Sequence, residues 1–150
     1  MRSFSLVVLG FLVPLASAAA SDADVLKQFG MLEHLAVDCT APDSDRNPHF
    51  MISVSPQGKI TYNIVQGRSR ENRTMHNLRL LTPELLQHES AAVTGGTIAS
   101  VTGTIAKIDG KFRVWRLVGA DGTIYVEDGK TTRDTPREHE PTQALMVCGN

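Results

Sequence analysis

Apolar and polar residues alternate through residues 50–64, which read FMISVSPQGKITYNI. A period of two is typical of a half-buried β-strand. The segment Pro56-Gln57-Gly58 interrupts the alternation with turn-forming residues, so the stretch predicts a β-hairpin. The apolar side chains of this hairpin would share one face of a sheet: Phe50, Ile52, Val54, Ile60, Tyr62 and Ile64.

Similar signals recur towards the C-terminus. Asp-Gly pairs at 109–110, 121–122 and 128–129 mark tight turns. Residues 98–108 indicate one long or bulged strand, and residues 144–148 a short final one. No alternation of strands with helices is present, so neighbouring strands should be antiparallel. We predict a mainly β fold of seven or eight strands: an antiparallel meander, with a strongly curved sheet or a small barrel.

Two segments favour helices. Apolar residues at spacings of three and four predict an N-terminal α-helix over Asp22–His34, although Gly30 weakens it. Ser21 or Asp22 could cap its start. We expect this helix to pack on one face or one end of the sheet. The order Thr-Pro-Glu before Leu85 predicts one or two helical turns over Pro83–His88.

Length and charge exclude several classes of function. The chain has 150 residues, 41% of them hydrophobic and 21% charged, which suits one globular domain. Its formal net charge is −1. Binding to nucleic acid or to an anionic membrane needs concentrated positive charge, so we expect neither partner.

The N-terminus predicts export. Arg2 precedes an apolar run over Phe4–Ala16, and small residues at Ala16-Ser17-Ala18 suit a cleavage site. The apolar run is too short to cross about 30 Å of hydrocarbon. We predict a signal peptide over residues 1–20, one domain over residues 21–150, and a periplasmic or extracellular location without a transmembrane segment.

The predicted location determines how the two cysteines are interpreted. Cys39 and Cys148 are the only ones in the chain, and an even count in an oxidising compartment favours a disulfide. A redox pair would need a C-x-x-C arrangement, and a metal site would need further ligands close in sequence. A bond between them would close most of the domain into one loop, worth roughly 4–5 kcal/mol by loop entropy.

The surroundings of the cysteines resemble a known set of proteins. Asp38-Cys39-Thr40-Ala41-Pro42 precedes Asn47-Pro48 and the hairpin, and Pro141 precedes a last strand that ends in Cys148. This D-C-x-x-P…N-P start with a terminal Cys resembles small exported (periplasmic) bacterial proteins of unassigned function. The resemblance covers most of the chain after residue 20. It implies an exported β-rich domain and brings no catalytic residues with it.

The sequence lacks the residue spacing that known catalytic and metal-binding motifs require. An EF-hand loop starting at Asp43 would need Gly and Glu where Pro48 and Val54 stand. His88-Glu89 and His139-Glu140 lack the second His of a zinc helix. A nucleophile elbow, a phosphate loop and a dinucleotide fingerprint are also missing from the sequence. We therefore predict a protein that is not an enzyme, with no catalytic residues, no metal site and no cofactor.

Two clusters are candidate binding surfaces. Arg68, Arg70 and Arg73 could bind an anionic partner, although the sequence favours a solvated loop with Glu71 as counter-charge. Arg113, Trp115 and Arg116 could form an interaction hairpin with an exposed aromatic ring. The alternative, which the sequence favours, places Trp115 in the core.

These observations predict a function only in outline. We expect an exported, non-enzymatic binding or interaction domain of the periplasm, whose partner is an unknown protein or small ligand. Two alternatives remain open. One is a lipocalin-like carrier that holds a small apolar ligand inside a barrel. The other is a small hydrolase inhibitor that presents a rigid loop such as residues 66–73.

Overall fold

The computed structural model describes residues 20–31, 33–94, 97–132 and 138–149. All but the last residue of the predicted signal peptide lies outside these ranges. The described elements are one helix and ten strands: α1 (Asp22–Phe29), β1 (His34–Ala36), β2 (His49–Val54), β3 (Ile60–Gln66), β4 (Ser69–Thr82), β5 (Leu85–Thr94), β6 (Thr97–Ile108), β7 (Lys111–Gly119), β8 (Ile124–Glu127), β9 (Lys130–Thr131) and β10 (Met146–Val147).

The strands form one antiparallel sheet, strongly curled into a half-barrel. Strands β1 to β9 lie side by side in chain order, and β10 returns to pair with β1. The predicted mainly β meander with one N-terminal helix is therefore confirmed. The predicted hairpin is also confirmed, since Phe50 pairs with Ile64 and Ile52 pairs with Tyr62 across β2 and β3.

Backbone angles explain two of the predicted tight turns. Asp109 and Gly110 both have positive φ, at 51° and 74°, and Asp128 and Gly129 do likewise, at 49° and 71°. Two consecutive residues with positive φ match the right-handed twist of the strands they join, and Asp-Gly adopts this turn with little strain.

The N-terminal helix is shorter than predicted. It begins with a capping box between Ser21 and Asp24 and ends at Phe29. Gly30 adopts a left-handed conformation with φ of 83°, and its N–H donates to the carbonyls of Leu26 and Lys27. Such a C-cap stops a helix. The predicted extension to His34 is therefore wrong, and His34 begins β1 instead.

The helix predicted over Pro83–His88 is also wrong. Pro83 and Glu84 form the turn of a hairpin, and Leu85 begins β5. Leu86 and His88 are buried on one face of that strand. Pairing with β4 on one side and β6 on the other satisfies the backbone of β5 along its length, which outweighs the local helix-start signal.

A carboxylate of α1 anchors the helix to the sheet. The register between β4 and β5 shifts between His76 and Arg79, and Asn77 within this bulge has a positive φ of 53°. The two Asp22 carboxylate oxygens accept hydrogen bonds from the backbone N–H groups of Asn77 and Leu78, at 2.8 and 2.9 Å. The bulge turns two ladder donors towards the helix, and Asp22 satisfies both.

The main core lies where α1 covers the inner face of the sheet. We call it the helix-covered core. Phe29 packs against Phe112 of β7, with ring centroids 5.4 Å apart. Lys107 lies near the helix end, with its ammonium 3.4 Å from the Phe29 carbonyl oxygen and 5.7 Å from the Phe112 ring centroid. The least exposed large apolar side chains belong to this core: Leu26, Phe29, Leu35, Ile60 and Leu86.

The end of the chain joins two distant strands. Leu145 exchanges two backbone hydrogen bonds with Phe112 at the start of β7, at 2.7 and 2.8 Å. Two residues later, Val147 pairs with Leu35 of β1. The hydrogen-bonded ladder therefore continues from β7 to β1 through the C-terminal segment, by which we mean residues 139–148. A disulfide between Cys39 and Cys148 ties its end to the loop before β2, with Cα atoms 5.4 Å apart, as predicted.

Candidate functional site

The C-terminal segment and β7 separate to leave a gap. They pair at Phe112, but from Leu117 onward β7 pairs with β8 instead. In between, the Thr142 hydroxyl donates to the Val114 carbonyl at 2.7 Å, and Arg113 donates from its guanidinium to the Thr142 carbonyl at 2.5 Å. These side-chain hydrogen bonds replace part of the backbone ladder between β7 and the C-terminal segment, so the two backbones stay apart.

A pocket of about 220 Å³ occupies this gap. We call it the C-terminal pocket. Its wall is mainly apolar, and polar groups lie on the C-terminal segment and β9. The lining residues on the sheet are Phe50, Val114, Leu117, Val126 and Thr131, and those on the C-terminal segment are Glu140, Pro141, Thr142, Gln143 and Leu145. Apolar walls with a few polar groups are typical of small-ligand sites.

Two buried polar side chains lie on the same inner face. His88 and Ser90 of β5 are 5% and 1% exposed. Within the described residues, His88 Nδ1 and Ser90 Oγ form no hydrogen bond of good geometry, although the Tyr62 hydroxyl interacts with Ser90 and the Glu89 backbone interacts with His88. Buried polar atoms are nearly always paired, because each unpaired one costs roughly 1–3 kcal/mol. Neither residue lines the C-terminal pocket, and Ser90 lies directly opposite Met75 of the helix-covered core.

The protonation state of His88 follows from its burial. Burial lowers the pKa of His88 to about 4, and the nearby cation Arg73 also disfavours the charged form. The imidazole is therefore neutral near pH 7, with one nitrogen able to donate a hydrogen bond and the other able to accept one.

Gly103 makes room for the imidazole. It lies directly opposite His88 in the β5–β6 pair, and a Cβ at this position would overlap His88 Nε2. Gly103 in turn lies directly opposite Leu117 of β7, which lines the C-terminal pocket. The absence of a side chain on β6 therefore places the His88 ring next to the strand that carries the pocket wall.

Three further polar side chains share this face. Burial raises the pKa of Tyr62, an effect that Ser90 and Arg73 beside its hydroxyl partly reduce. Arg73 is directly opposite Tyr62 in the β3–β4 pair and donates to Glu71 at 2.6 Å. The Phe50 ring of the pocket wall stacks near the Tyr62 ring, with centroids 6.4 Å apart. The Tyr62 ring therefore lies beside the Phe50 side of the pocket wall, whereas Arg73 and Glu71 are not lining residues.

The structure divides the arginine cluster. Arg68 is exposed in the turn between β3 and β4. Arg70 is exposed, donates to the carbonyls of Gly67 and Ser69, and lies 3.7 Å from the Asp43 carboxylate. Arg73 belongs to the inner face, with its ion pair to Glu71. The three do not form one surface, and residues 66–73 are two strands with a two-residue turn rather than a protruding loop.

In the candidate interaction hairpin, Arg113 and Arg116 bind neighbouring parts of the chain. Arg113 holds the C-terminal segment, and Arg116 pairs with Glu127 at 3.1 Å. A register shift near Thr104 breaks the alternation of β7, so Phe112 enters the core. Trp115 is half-buried, with its ring against Gly129. The expectation that Trp115 is a core residue is therefore wrong.

A histidine pair near the disulfide does not suit a metal ion. His34 Nε2 and His49 Nδ1 are 3.0 Å apart, and His49 Nε2 is 3.1 Å from Asn47 Nδ2. The Asn47 amide can only donate there, because its oxygen accepts from the Asp38 N–H. His49 Nε2 is then the acceptor, and Nδ1 carries the proton and donates to His34. A protonated Nδ1 cannot ligate a metal.

Asn47 organises the loop before β2 in the same way. Its amide nitrogen lies 3.0 to 3.1 Å from the carbonyl oxygens of Asp38, Ala41 and Pro42. Across the described residues, no group of three or more His, Cys, Asp or Glu side chains is placed to hold a metal ion. These contacts give the loop and its histidines a structural role.

Comparison with known proteins returns no relative: no family model, no curated protein and no solved structure matches the chain. Within the part of the chain that the structure describes, no helix is both long and apolar enough to cross a membrane.

Sequence reasoning missed the inner-face residues of β5. The alternation of Leu86, His88 and Ser90 was the signal that could have found them. It was obscured because Pro83 and Glu84 suggested a helix start, and a helix would have placed His88 on a different face. Gly103 stands alone within residues 98–108, and an isolated glycine in a strand often marks a close approach.

Proposed function

We propose that this protein is an exported, non-enzymatic binding domain whose C-terminal pocket takes a small, mostly apolar ligand. The pocket itself carries the proposal. Phe50, Val114 and Leu117 face the inside of the half-barrel yet remain only half-buried, because the C-terminal segment bridges the gap without filling it.

The size of the pocket limits the ligand. A dry apolar cavity of about 150 Å³ accommodates a benzene ring. A volume of about 220 Å³ therefore suits a single ring or a short branched chain with a small substituent. Long-chain lipids would not fit within the pocket.

Export is supported by two features of the chain. The N-terminal sequence has the charge, apolar run and small residues of a secretory signal peptide. The Cys39–Cys148 disulfide suits an oxidising compartment such as the periplasm or the extracellular space. The resemblance to small exported bacterial proteins favours the periplasm.

The pocket favours this carrier-like role over the inhibitor alternative. An inhibitor would need an ordered segment that protrudes into an enzyme cleft, and the hairpin turn at Gly67 and Arg68 is too short for that. The pocket, by contrast, offers apolar surface in a concave site.

A titration with toluene tests the proposal. The mature protein, with the disulfide intact, would be titrated while methyl NMR signals of Val114, Leu117, Val126 and Leu145 are followed. We expect saturable shifts of these signals. Absence of saturable shifts would overturn the proposed ligand site. Native mass spectrometry of protein from the exported fraction would then show any natural ligand as a mass excess that is lost on denaturation.

Two tryptophan substitutions provide the matched pair. Leu117→Trp places a large ring in the pocket and should abolish toluene binding. Met51→Trp places the same ring on the outer face, where Met51 is already 46% exposed, and should leave binding unchanged. Equal binding by wild type and Leu117→Trp would show that toluene binds elsewhere.

A further inference from the structure

A second cleft lies on the outer face of the sheet, at the start of β7. Phe112 enters the core and Val114 lines the C-terminal pocket, so Arg113 between them points to the opposite face. Its side chain reaches the C-terminal segment and borders a cleft of about 260 Å³, which we call the Arg113 cleft. The lining residues are Ile108, Asp109, Lys111, Arg113 and Ala144.

The chain fixes the position of Arg113 but leaves most of its donors unused. Its guanidinium donates to the Thr142 carbonyl oxygen at 2.5 Å. Trp115 ring carbons and Arg113 Cδ lie 3.2 and 3.6 Å from the position that a Gly129 Cβ would take, so ring and stem both pack there. Within the described residues, the guanidinium makes no other hydrogen bond or ion pair. Its remaining N–H groups can therefore bind a second acceptor without releasing Thr142.

The charges that line the cleft favour a ligand with one negative charge. Lys111 is exposed, and its ammonium has no hydrogen-bond or ion-pair partner in the described part of the chain. Asp109 is the carboxylate of the lining, so two cations and one acid give the lining a net charge of +1. A monoanion would neutralise this charge, whereas a phosphate dianion would leave an excess of negative charge.

Apolar surface beside the two cations offers the ligand a second contact. Ile108 at the end of β6 is 45% exposed, and both Ile108 and Ala144 line the cleft. An exposed ion pair contributes little affinity by itself. A small branched aliphatic group against Ile108 would add the burial of apolar area to the ion pair.

We propose that the Arg113 cleft binds a small aliphatic monocarboxylate, whose carboxylate pairs with Arg113 and Lys111 and whose apolar part contacts Ile108. This site lies on the opposite face of β7 from the C-terminal pocket and does not depend on the ligand proposed there. Among the residues of the candidate interaction hairpin, Arg113 is the one with donors to spare, because Arg116 already pairs with Glu127 at 3.1 Å.

Trp115 provides the readout, because it is the only tryptophan of the chain and packs beside Arg113. Its fluorescence would be followed near pH 7 and at constant ionic strength during titration with isobutyrate, with the neutral isobutyramide and with inorganic phosphate. NMR would follow the Nε–H signal of Arg113 in the same titrations. We expect saturable changes with isobutyrate, and at least about fivefold weaker binding of the other two probes.

Substitutions assign the binding to the two cations. Lys111→Gln should weaken isobutyrate binding by about threefold to fivefold, as the loss of one exposed ion pair would. Arg113→Lys keeps the charge but loses the planar fork, and should weaken binding by about tenfold. Lys59→Gln removes the same charge from the exposed turn between β2 and β3. This matched control should bind isobutyrate as the wild type does.

Several results would overturn the proposal. Equal affinity for isobutyrate and isobutyramide would show that no charge is recognised. Phosphate binding as tight as that of isobutyrate would replace the carboxylate by anions in general. Unchanged affinity in both Lys111→Gln and Arg113→Lys would place the ligand elsewhere. The absence of a saturable response in both the Trp115 fluorescence and the Arg113 signal would show that the cleft does not bind a carboxylate.

Discussion

The helix-covered core and the C-terminal pocket lie on the same face of the same sheet, but they are covered differently. In the core, Leu26 and Phe29 of α1 pack onto the strands, and Leu35 and Leu86 beneath them are fully buried. At the pocket, an extended segment crosses the sheet and is held by hydrogen bonds on both sides, from Leu145 to Phe112 of β7 and from residues 139–142 to residues 129–131. A helix presents side chains every turn and fills the space below it, whereas an extended segment bridges a gap.

The polar groups of the two regions also differ in how far the chain itself satisfies them. In the helix-covered core, the carboxylate of Asp22 satisfies both free backbone donors of the β4 bulge. The C-terminal pocket, by contrast, keeps the polar side chains of Thr142 and Gln143 on the wall of a space that the chain leaves open. One region therefore has the properties of a stability element, and the other those of a binding site.

The largest effect should come from removing the disulfide, which anchors the C-terminal segment. The bond links residues 109 apart in sequence. Cys39→Ser with Cys148→Ser should cost about 4–5 kcal/mol, which corresponds to a fall in Tm of more than about 10 °C. Scanning calorimetry of the oxidised wild type and the double variant measures this. The pocket should also lose toluene affinity, because its wall is no longer held. An unchanged Tm would refute the role of the bond.

A truncation in the helix-covered core should destabilise without altering the pocket. Phe29 is 1% exposed and contacts Phe112. Phe29→Ala should cost about 4 kcal/mol in urea denaturation, from lost burial and a new cavity. The folded fraction should bind toluene as the wild type does. Phe29→Leu provides a milder variant if Phe29→Ala does not fold. Loss of toluene affinity in either would show that the two regions are not independent.

The stability of the protein should depend on pH through His88. The pKa of His88 is about 4 in the folded state, against 6.5 for an unperturbed histidine. The unfolded chain therefore binds the proton first as the pH falls. The His88 contribution is fully present above pH 6.5 and is lost progressively between pH 6.5 and 4, by roughly 3 kcal/mol in all.

Urea denaturation at pH 7.5 and 4.5 tests this dependence, with His88→Phe as the reference. The wild type should lose more stability than the variant between the two values. Carboxyl groups with lowered pKa, such as Asp24 and Asp121, are present in both proteins, so their contribution cancels in the comparison. Identical losses in the two proteins would mean that His88 is not held in a desolvated state.

The sequence predicted the helix-covered core better than the pocket, for a physical reason. Alternation in residues 50–64 and the Asp-Gly turns are local signals, and local pairing in a meander follows chain order. The hairpin, the antiparallel sheet and the disulfide were therefore predictable. The end of the helix before Gly30 was also predictable, since glycine is the preferred residue just after a helix.

The candidate site depends on relations that span the chain. The pocket exists because Leu145 returns to β7 and because Arg113 and Thr142 hold two backbones apart. Neither relation has a local sequence pattern. The arginine cluster illustrates the converse: Arg70 and Arg73 are close in sequence but lie on opposite faces of β4, as residues an odd number apart in a strand do.

The smallest predicted effect concerns the contact between His88 and Gly103, which links β5 to the pocket wall. A Cβ at Gly103 would overlap His88 Nε2, so Gly103→Ala should cost about 2 kcal/mol through displacement of the ring. In a His88→Ala background the same substitution should cost much less, and the difference is a coupling between the two positions. Gly149→Ala, which adds a Cβ in open space, serves as the control. An equal cost in both backgrounds would place the strain in the β6 backbone rather than in the imidazole. His88 would then be free to turn away from β6.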